Sequence, residues 1–334
     1  MRFRFKPSAE QRAALKARLV RLQHPETVVP IVRPILPDGF EPEGATCTVA
    51  FAHSDRAVVR VELRGTGGAR RTYALKVFSD EFPGRIWEYS RAVAAHCPPN
   101  HDGLSLPSGY LPEERALVFP WVEGEFLSEI VDRRKPELLR QAARLAARLH
   151  RARFVPEEPT SAATIVEDTL ARCDRLRRRW PAAATLVDPL IAPLREALGR
   201  LDPAAPAPIH GDCAAGQFLW TGERLLLLDL DMFGYADPAY DVGHFLGQLE
   251  RRGALDAALP PDAVVWMESF LDAYLAEMPA VSRRNVTFYR GVTLLRKVYT
   301  LCRKHPAEWP ALAPVLAERA GRAFAEVRSG GGPH

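Results

Sequence analysis

The stretch Ile209-His210-Gly211-Asp212-Cys213-Ala214-Ala215-Gly216-Gln217 is followed by Leu225-Leu226-Leu227-Leu228-Asp229-Leu230-Asp231 and by Asp237-Pro238-Ala239-Tyr240-Asp241. Four leucines in a row make a buried strand. A carboxylate at the mouth of such a strand is costly unless a cation or hydrogen-bond donors lie near it. Asp229 is therefore the best candidate metal ligand. Asp231 lies on the same side if the chain stays extended, and either joins the metal site or caps. Gln217 offers an amide oxygen of the kind that magnesium, a hard cation, prefers. Asp212 follows His-Gly, a tight bend that would place its carboxylate at a loop apex, where a base accepts the hydrogen bond of an incoming hydroxyl. The competing role for Asp212 is a helix cap. His210 reads as a hydrogen-bonded brace of the loop. Two carboxylates and a neutral oxygen ligand in one loop and strand end form a layout for phosphoryl transfer.

The 334 residues allow about two domains. A 47% hydrophobic and 26% charged composition is that of a soluble globular protein, and a net charge of +4 gives no ground for a nucleic-acid partner. The five cysteines are odd in number and include no C-x-x-C pair, so reduced thiols in a cytoplasmic protein are expected rather than a zinc site or a disulfide framework. The basic start, Met1 to Lys6, lacks an apolar stretch behind it and does not read as a signal peptide. No apolar run reaches the roughly 20 residues of a membrane helix.

Local patterns predict a helix over 8–22 capped by Ser8, then a Pro-rich connector. Strands follow at Cys47–Ala52, Ala57–Leu63 and Arg71–Phe78, a helix at 82–93, and a strand at Ala116–Val122. Beyond Gly124 the chain turns helical: Glu137–His150, a helical pair over 163–200 broken at Pro181 and Pro189, then Asp262–Glu277, Arg283–Lys304 and Ala311–Val327. The expected organisation is residues 1–45 as N-terminal helix and connector, 46–122 as a nucleotide-binding N-lobe, 123–328 as a helical C-lobe with catalytic loop and acceptor site, and 329–334 as a flexible tail. The fold class is α+β, with a cleft between a small β-rich lobe and a larger helical one.

Lys76 sits in Tyr73-Ala74-Leu75-Lys76-Val77-Phe78, where Ala74, Lys76 and Phe78 share a face. A small residue beside the lysine leaves room for a flat base, and the ammonium offers a point charge to phosphates. Taken alone it reads more readily as a solvated lysine on an edge strand. Glu88, on the following helix, would orient it. The segment Phe119-Pro120-Trp121-Val122 would present backbone groups to a purine edge, or serve as a plain linker. Asp241, in the first turn of a helix opened by Asp237-Pro238, would accept hydrogen bonds from the nearby loop backbone. His244, among Val242, Phe245 and Leu246, reads as a packing histidine.

These residues resemble the aminoglycoside phosphotransferase/choline kinase-like enzymes, which share the protein-kinase-like fold. The family pattern is His-Gly-Asp, four residues, Asn, a strand ending in Asp, then Gly-Asp-Pro-x-x-Asp. Here it reads His210-Gly211-Asp212, Gln217, Asp229 and Ala236-Asp237-Pro238-x-x-Asp241. Leu149-His150 and Val122-Glu123-Gly124-Glu125 also look like family segments. The resemblance implies ATP and Mg2+ as cofactors and phosphorylation of a small-molecule hydroxyl. By it Asp212 is the catalytic Asp, Gln217 and Asp229 are magnesium ligands, and Lys76 contacts the α- and β-phosphates. Glu88 pairs with Lys76, Asp241 braces the catalytic loop, and the backbone around Phe119, Trp121 and Val122 holds adenine. Two departures stand out. Gln217 replaces the metal-binding Asn and sits one methylene further out. The loop 51–56 contains no glycine.

The expected acceptor is a sugar, sugar derivative or amino alcohol, with no nucleic-acid or membrane partner; the oligomeric state is not written in the sequence. The basic run Arg283 to Lys297 tilts the expectation toward a neutral or anionic acceptor. A nucleotide-binding pseudokinase acting as an interaction module is the alternative reading. A protein kinase is disfavoured, because Asp-Phe-Gly and Ala-Pro-Glu segments are absent from the sequence.

Overall fold

The alternations Val59-x-Val61-x-Leu63 and Tyr73-x-Leu75-x-Val77 put one apolar row per strand on a single side, and that row nucleates a sheet. The computed structural model describes residues 7–96, 103–155, 157–255, 259–305 and 307–330. The chain divides into two units. One holds the described residues up to Gly124 with Leu228–Asp231; the other holds Glu125–Leu227 and the chain from Met232 onward.

The first unit contains α1 (Ala9–Leu22), α2 (Pro25–Val32), β1 (Pro42–Ala52), β2 (Arg56–Gly65), β3 (Arg70–Phe78), α3 (Pro83–His96), β4 (Gly109–Leu111) and β5 (Ala116–Pro120). Its strands pair antiparallel in the order β1-β2-β3-β5-β4. A capping box opens α1: Ser8 Oγ accepts from the Gln11 N–H at 3.1 Å, and the Ser8 N–H donates to Gln11 Oε1 at 2.8 Å. Leu15 and Leu22 of α1 and Val28 and Val32 of α2 pack with Val59, Val61, Leu63, Tyr73, Leu75 and Val77. Helix α2 forms within the segment expected as connector. Its Pro25 lies in the first turn, where no backbone N–H is lost, and Val28 and Val32 are one turn apart. On β3 the alternation turns Lys76 and Phe78 away from that apolar row. Phe78 packs with Ile86 of α3 and Leu117 of β5.

The second unit contains β6 (Glu125–Phe126), α4 (Lys135–His150), α5 (Ala162–Arg179), α6 (Pro181–Val187), α7 (Ile191–Leu198), β7 (Ala207–Ile209), β8 (Phe218–Trp220), β9 (Leu225–Leu227), β10 (Gly234–Ala236), α8 (Ala239–Leu255), α9 (Pro260–Glu277), α10 (Arg283–Lys304) and α11 (Trp309–Ser329). The segment 163–200 becomes three helices, α5 to α7, divided at Pro181 and by a short 3-10 turn at Asp188–Leu190. Strands β7 and β10 pair with each other, and β6-β8-β9 form a small separate sheet. Cys47, Cys173, Cys213 and Cys302 are free thiols, and Cys97 lies outside the described residues. Gly330 caps α11 in the left-handed conformation; the rest of the expected tail, 331–334, lies outside the described residues. Among the described residues no helix is long and apolar enough to cross a membrane.

Helices α8 and α10 approach closely at Gly243. A Cβ there would lie 2.6 Å from both the Tyr289 Cβ and the Val286 carbonyl oxygen. Gly243→Ala should therefore force the two helices apart and cost about 1–3 kcal/mol, read as a lower urea midpoint with an unchanged m-value. A midpoint within error of the wild type would contradict the close approach.

Candidate active site

Strand β7 delivers the chain to His210-Gly211-Asp212, and a single buried carboxylate arrests it there. Asp241, in the first turn of α8, accepts the His210 N–H at 2.6 Å through Oδ2 and the Gly211 N–H at 2.9 Å through Oδ1. Its Oδ2 also meets His150 Nε2 at 3.1 Å, and His150 Nδ1 lies 2.6 Å from the Tyr274 hydroxyl. Asp241 only accepts, so Nε2 carries the proton and Nδ1 accepts from Tyr274. Burial works against the charged carboxyl, but the His150 hydrogen bond, the two histidines and the His210 N–H hold it below its usual range. Gly211 has φ +80, and a Cβ on it would lie 2.0 Å from the Met232 carbonyl oxygen. Only glycine fits both the backbone region and the space.

The bend leaves the Asp212 side chain in reach of two neighbours. His244 Nε2 is 3.2 Å from Asp212 Oδ1, and Gln217 Nε2 donates to Asp212 Oδ2 at 3.4 Å. His210 Nδ1 accepts the Asp212 N–H at 3.3 Å. Burial would raise the Asp212 carboxyl, yet the His244 hydrogen bond and charge, with Lys297 and His210, outweigh it and hold it at about 2. Burial also pushes the His244 imidazole down against the pull of Asp212, so the ring is neutral at neutral pH. Its Nε2–H then donates to Asp212, while Nδ1 faces the Thr293 hydroxyl at 3.2 Å. His244 is buried, as its apolar neighbours on α8 suggest, but its ring is spent on Asp212 rather than on packing alone.

The other unit gathers a second set of charges. Lys76 Nζ donates to Asp229 Oδ1 at 2.7 Å and to Asp231 Oδ1 at 2.6 Å. Arg56, the first residue of β2, places Nε 3.3 Å from Asp231 Oδ2 and donates to Asp55 at 2.9 Å. Asp231 Oδ2 is buried and makes no hydrogen bond. Burial and the charge of Asp229 push the Asp231 carboxyl up to about 7, against Lys76 and Arg56. Burial acts on Asp229 as well, but the Lys76 charge and hydrogen bond keep its carboxyl below the usual range. Burial opposes the charged Lys76, and the two carboxylates raise its pKa regardless. The chain is not extended here. Asp229 has φ +65, and Leu230–Met232 form a 3-10 turn. This strained backbone, rather than strand alternation, turns both carboxylates onto one lysine.

The expected Lys76–Glu88 pair is not formed. The buried positions of α3 are Pro83, Ile86, Tyr89, Ser90 and Val93, which leaves Glu88 off that stripe and exposed. Asp229 and Asp231 take its place as partners of Lys76. Beyond β5, the Trp121 N–H donates to the Thr72 carbonyl at 2.9 Å, and the indole Nε1 donates to Glu123 at 2.7 Å. Phe119 pairs with Ala74 across the sheet. The backbone of Val122 makes no hydrogen bond among the described residues.

Residues 60–283 match the model of the phosphotransferase enzyme family. The chain belongs to that family. As a member it is a small-molecule phosphotransferase. No curated protein matches it in sequence. Among solved structures it is similar to a choline/ethanolamine kinase family protein from Mesorhizobium loti, with 17% identity, a TM-score of 0.58, and coverage of 94% of this chain and 98% of that one. It is also similar to an aminoglycoside-3'-phosphotransferase of type VIII, with 21% identity, a TM-score of 0.52, and coverage of 87% and 100%. A third is an amicoumacin kinase determined with AMP-PNP and Ca2+, with 16% identity, a TM-score of 0.57, and 96% of each chain covered. At these identities the likeness establishes the kinase-like fold.

Three residues of this family member, Arg56, His150 and His244, were given no site role by their sequence context. Arg56 lies in the glycine-free loop, whose composition marks the departure without naming a replacement. His150 ends α4 and His244 is one turn beyond Asp241, a spacing that alone places it on the same helix face. His244 lowers the Asp212 pKa through its hydrogen bond to the carboxylate and through its charge. In His244→Leu that pKa should rise, so the acid limb of the kcat profile should move to higher pH. An acid limb that stays in place would show that the two side chains are not coupled.

Proposed function

We propose that this phosphotransferase moves the γ-phosphoryl group of ATP, with magnesium, onto a hydroxyl of a sugar, sugar derivative or amino alcohol. The observation that carries the reading is the pair of carboxylates, half-buried Asp229 and buried Asp231, bound by Lys76. Two carboxylates, one of them with a buried oxygen that accepts no hydrogen bond, fit a divalent cation. Among the described residues no group of three or more His, Cys, Asp or Glu gathers as a metal cage. The remaining coordination would come from phosphate oxygens and water, as magnesium prefers. Asp229 and Asp231 would hold the ion, and Gln217 is proposed as a metal ligand through its amide oxygen. When bound, magnesium neutralises the triphosphate and the charge that develops on transfer.

In this reading Lys76 and Arg56 exchange their carboxylates for phosphate oxygens when the nucleotide arrives. Arg56 stands where a glycine loop would cover the phosphates, and supplies charge in place of backbone N–H groups. The unbonded backbone of Val122, flanked by Phe119 and Trp121, would take the adenine edge. Glu88, off the buried stripe, is left a surface role. Asp212 accepts the proton of the acceptor hydroxyl, and His244 keeps its carboxylate ionised and oriented. His210 and Asp241 hold the loop so that Asp212 loses no freedom during the reaction. Transfer forms the bond from acceptor oxygen to phosphorus, releases ADP, and leaves the hydroxyl proton on Asp212 for solvent to remove.

Asp212→Asn should lower kcat by about 10²- to 10⁴-fold while ATP still shifts the melting temperature; turnover equal to wild type would remove Asp212 from the mechanism. Asp229→Ala should abolish the additional thermal shift that magnesium gives to ATP, and a magnesium-dependent shift as large as that of the wild type would count against it.

A further inference from the structure

Strand β3 leaves its sheet at Phe78, and two arginines take over its carbonyls there. Arg18 of α1 donates from Nη1 to the Phe78 carbonyl at 2.9 Å, and Arg115 donates from Nη1 to the Ser79 carbonyl at 3.0 Å. The Arg115 carbonyl accepts the Phe78 N–H at 3.0 Å, from a residue held at φ +49. Arg18 is half-buried, and among the described residues the Phe78 carbonyl is the acceptor its head group meets. Burial, and then the nearby Arg115, lower its pKa, with Glu114 opposing them. Arg21, one turn further along α1, makes a separate anchor by binding both oxygens of Glu114.

A short run of measured contacts leads from the Phe78 carbonyl to Arg56. Phe78 and Arg56 are direct partners in the β2–β3 pairing. The next residue, Ser79, donates its N–H to the Asp55 carbonyl at 2.9 Å. The Asp55 carboxylate takes Arg56 Nη1 at 2.9 Å, and Arg56 Nε stands 3.3 Å from Asp231 Oδ2. The Phe78 side chain also bears on the site, since Lys76 Nζ is 5.5 Å from the centre of its ring. The loop 51–56 contains no glycine, so Arg56 reaches forward on a long and freely rotating stem. Its aim is only as good as the hold on its backbone. Part of that hold comes from α1, which lies outside the residues that match the family model.

We propose that Arg18 is a positioning residue of the nucleotide site: it fixes the backbone of Phe78 and Ser79, and through it the Asp55–Arg56 pair, so that Arg56 meets the phosphates of ATP. The proposal rests on the phosphotransfer reading, in which Arg56 contacts those phosphates. Arg18 itself touches neither nucleotide nor acceptor. Without it the Phe78 carbonyl loses its charged donor, the strand end opposite Arg56 loosens, and the guanidinium of Arg56 is spread over more directions. Binding of the phosphates weakens, while binding of the base and ribose, which Arg56 does not contact, stays as it was.

The test uses the full chain and two probes, ATP with magnesium and adenosine, with each Kd taken by equilibrium titration. Arg18→Gln should weaken ATP binding by about three- to tenfold, the worth of one hydrogen bond, and leave the Kd for adenosine unchanged. Both values come from one preparation, so a loss of folded protein cancels in their ratio. Arg21→Gln loosens α1 without touching the Phe78 carbonyl and should leave the ratio at the wild-type value. In an Arg56→Gln background the effect of Arg18→Gln on ATP should largely vanish, because the two residues act through one chain of contacts. Four results would each overturn the proposal: ATP binding unmoved by Arg18→Gln, ATP and adenosine weakened alike, Arg21→Gln matching Arg18→Gln, or an undiminished loss in the Arg56→Gln background. Failure of the phosphotransfer reading shows separately, as a wild-type chain that holds ATP no tighter than adenosine.

Discussion

The buried carboxylate of Asp241 is the fixed point of the helical unit. It takes two successive backbone N–H groups, from His210 and Gly211, and the Nε2–H of His150. Each donor is buried, so each would otherwise be left unpaired at a cost of about 1–3 kcal/mol. Removing the carboxylate strands all three at once. The loop conformation, with Gly211 at φ +80 against the Met232 carbonyl, is available only because Asp241 secures both sides of the bend. The orientation of Asp212 follows from this, and so does its reach to His244.

The protein handles its two reactive sets of charge in different ways. Asp212 is kept ionised chiefly by the hydrogen bond it accepts from His244, with the charges of His244, Lys297 and His210 adding to it. In the proposed reaction the same carboxylate would accept a proton. Asp229 and Asp231 are instead held by full cations, Lys76 and Arg56, and burial leaves Asp231 near neutrality in its titration. A pair of carboxylates so close together is stable only with positive charge between or beside them. Lys76 and Arg56 supply it. Charge of the same sign would be supplied by a metal ion in the proposed reaction.

The identity of the residues at the loop, the strand end and the following helix was legible because each must be a particular residue type at a particular spacing. Glycine at 211 is forced by backbone and space, and Asp at 241 by the donors it must satisfy. The antiparallel sheet and most of the helices were legible for a similar reason, since period 2 and period 3.6 expose a buried stripe directly. The pairing of Lys76 was not. Glu88 has the right charge on the right helix, but α3 buries Ile86, Tyr89, Ser90 and Val93 and turns Glu88 out. Helix α2 was also missed, because its prolines read as a connector while the burial of Val28 and Val32 supplies the stability that local propensity does not.

By itself the sequence determined the two-part α+β architecture, the His-Gly-Asp bend and the carboxylates at the end of the leucine strand. Those features are set by patterns within a few residues of one another. Only the tertiary structure decided which partners these residues keep. Asp229 enters a left-handed backbone conformation that no leucine run announces, and it meets a lysine 153 positions away. His244 finds Asp212 from a helix beyond the loop, and Asp168 draws Arg172 and Arg296 together from two. The physical reason is that charge and hydrogen bonding act through space, while periodicity acts along the chain.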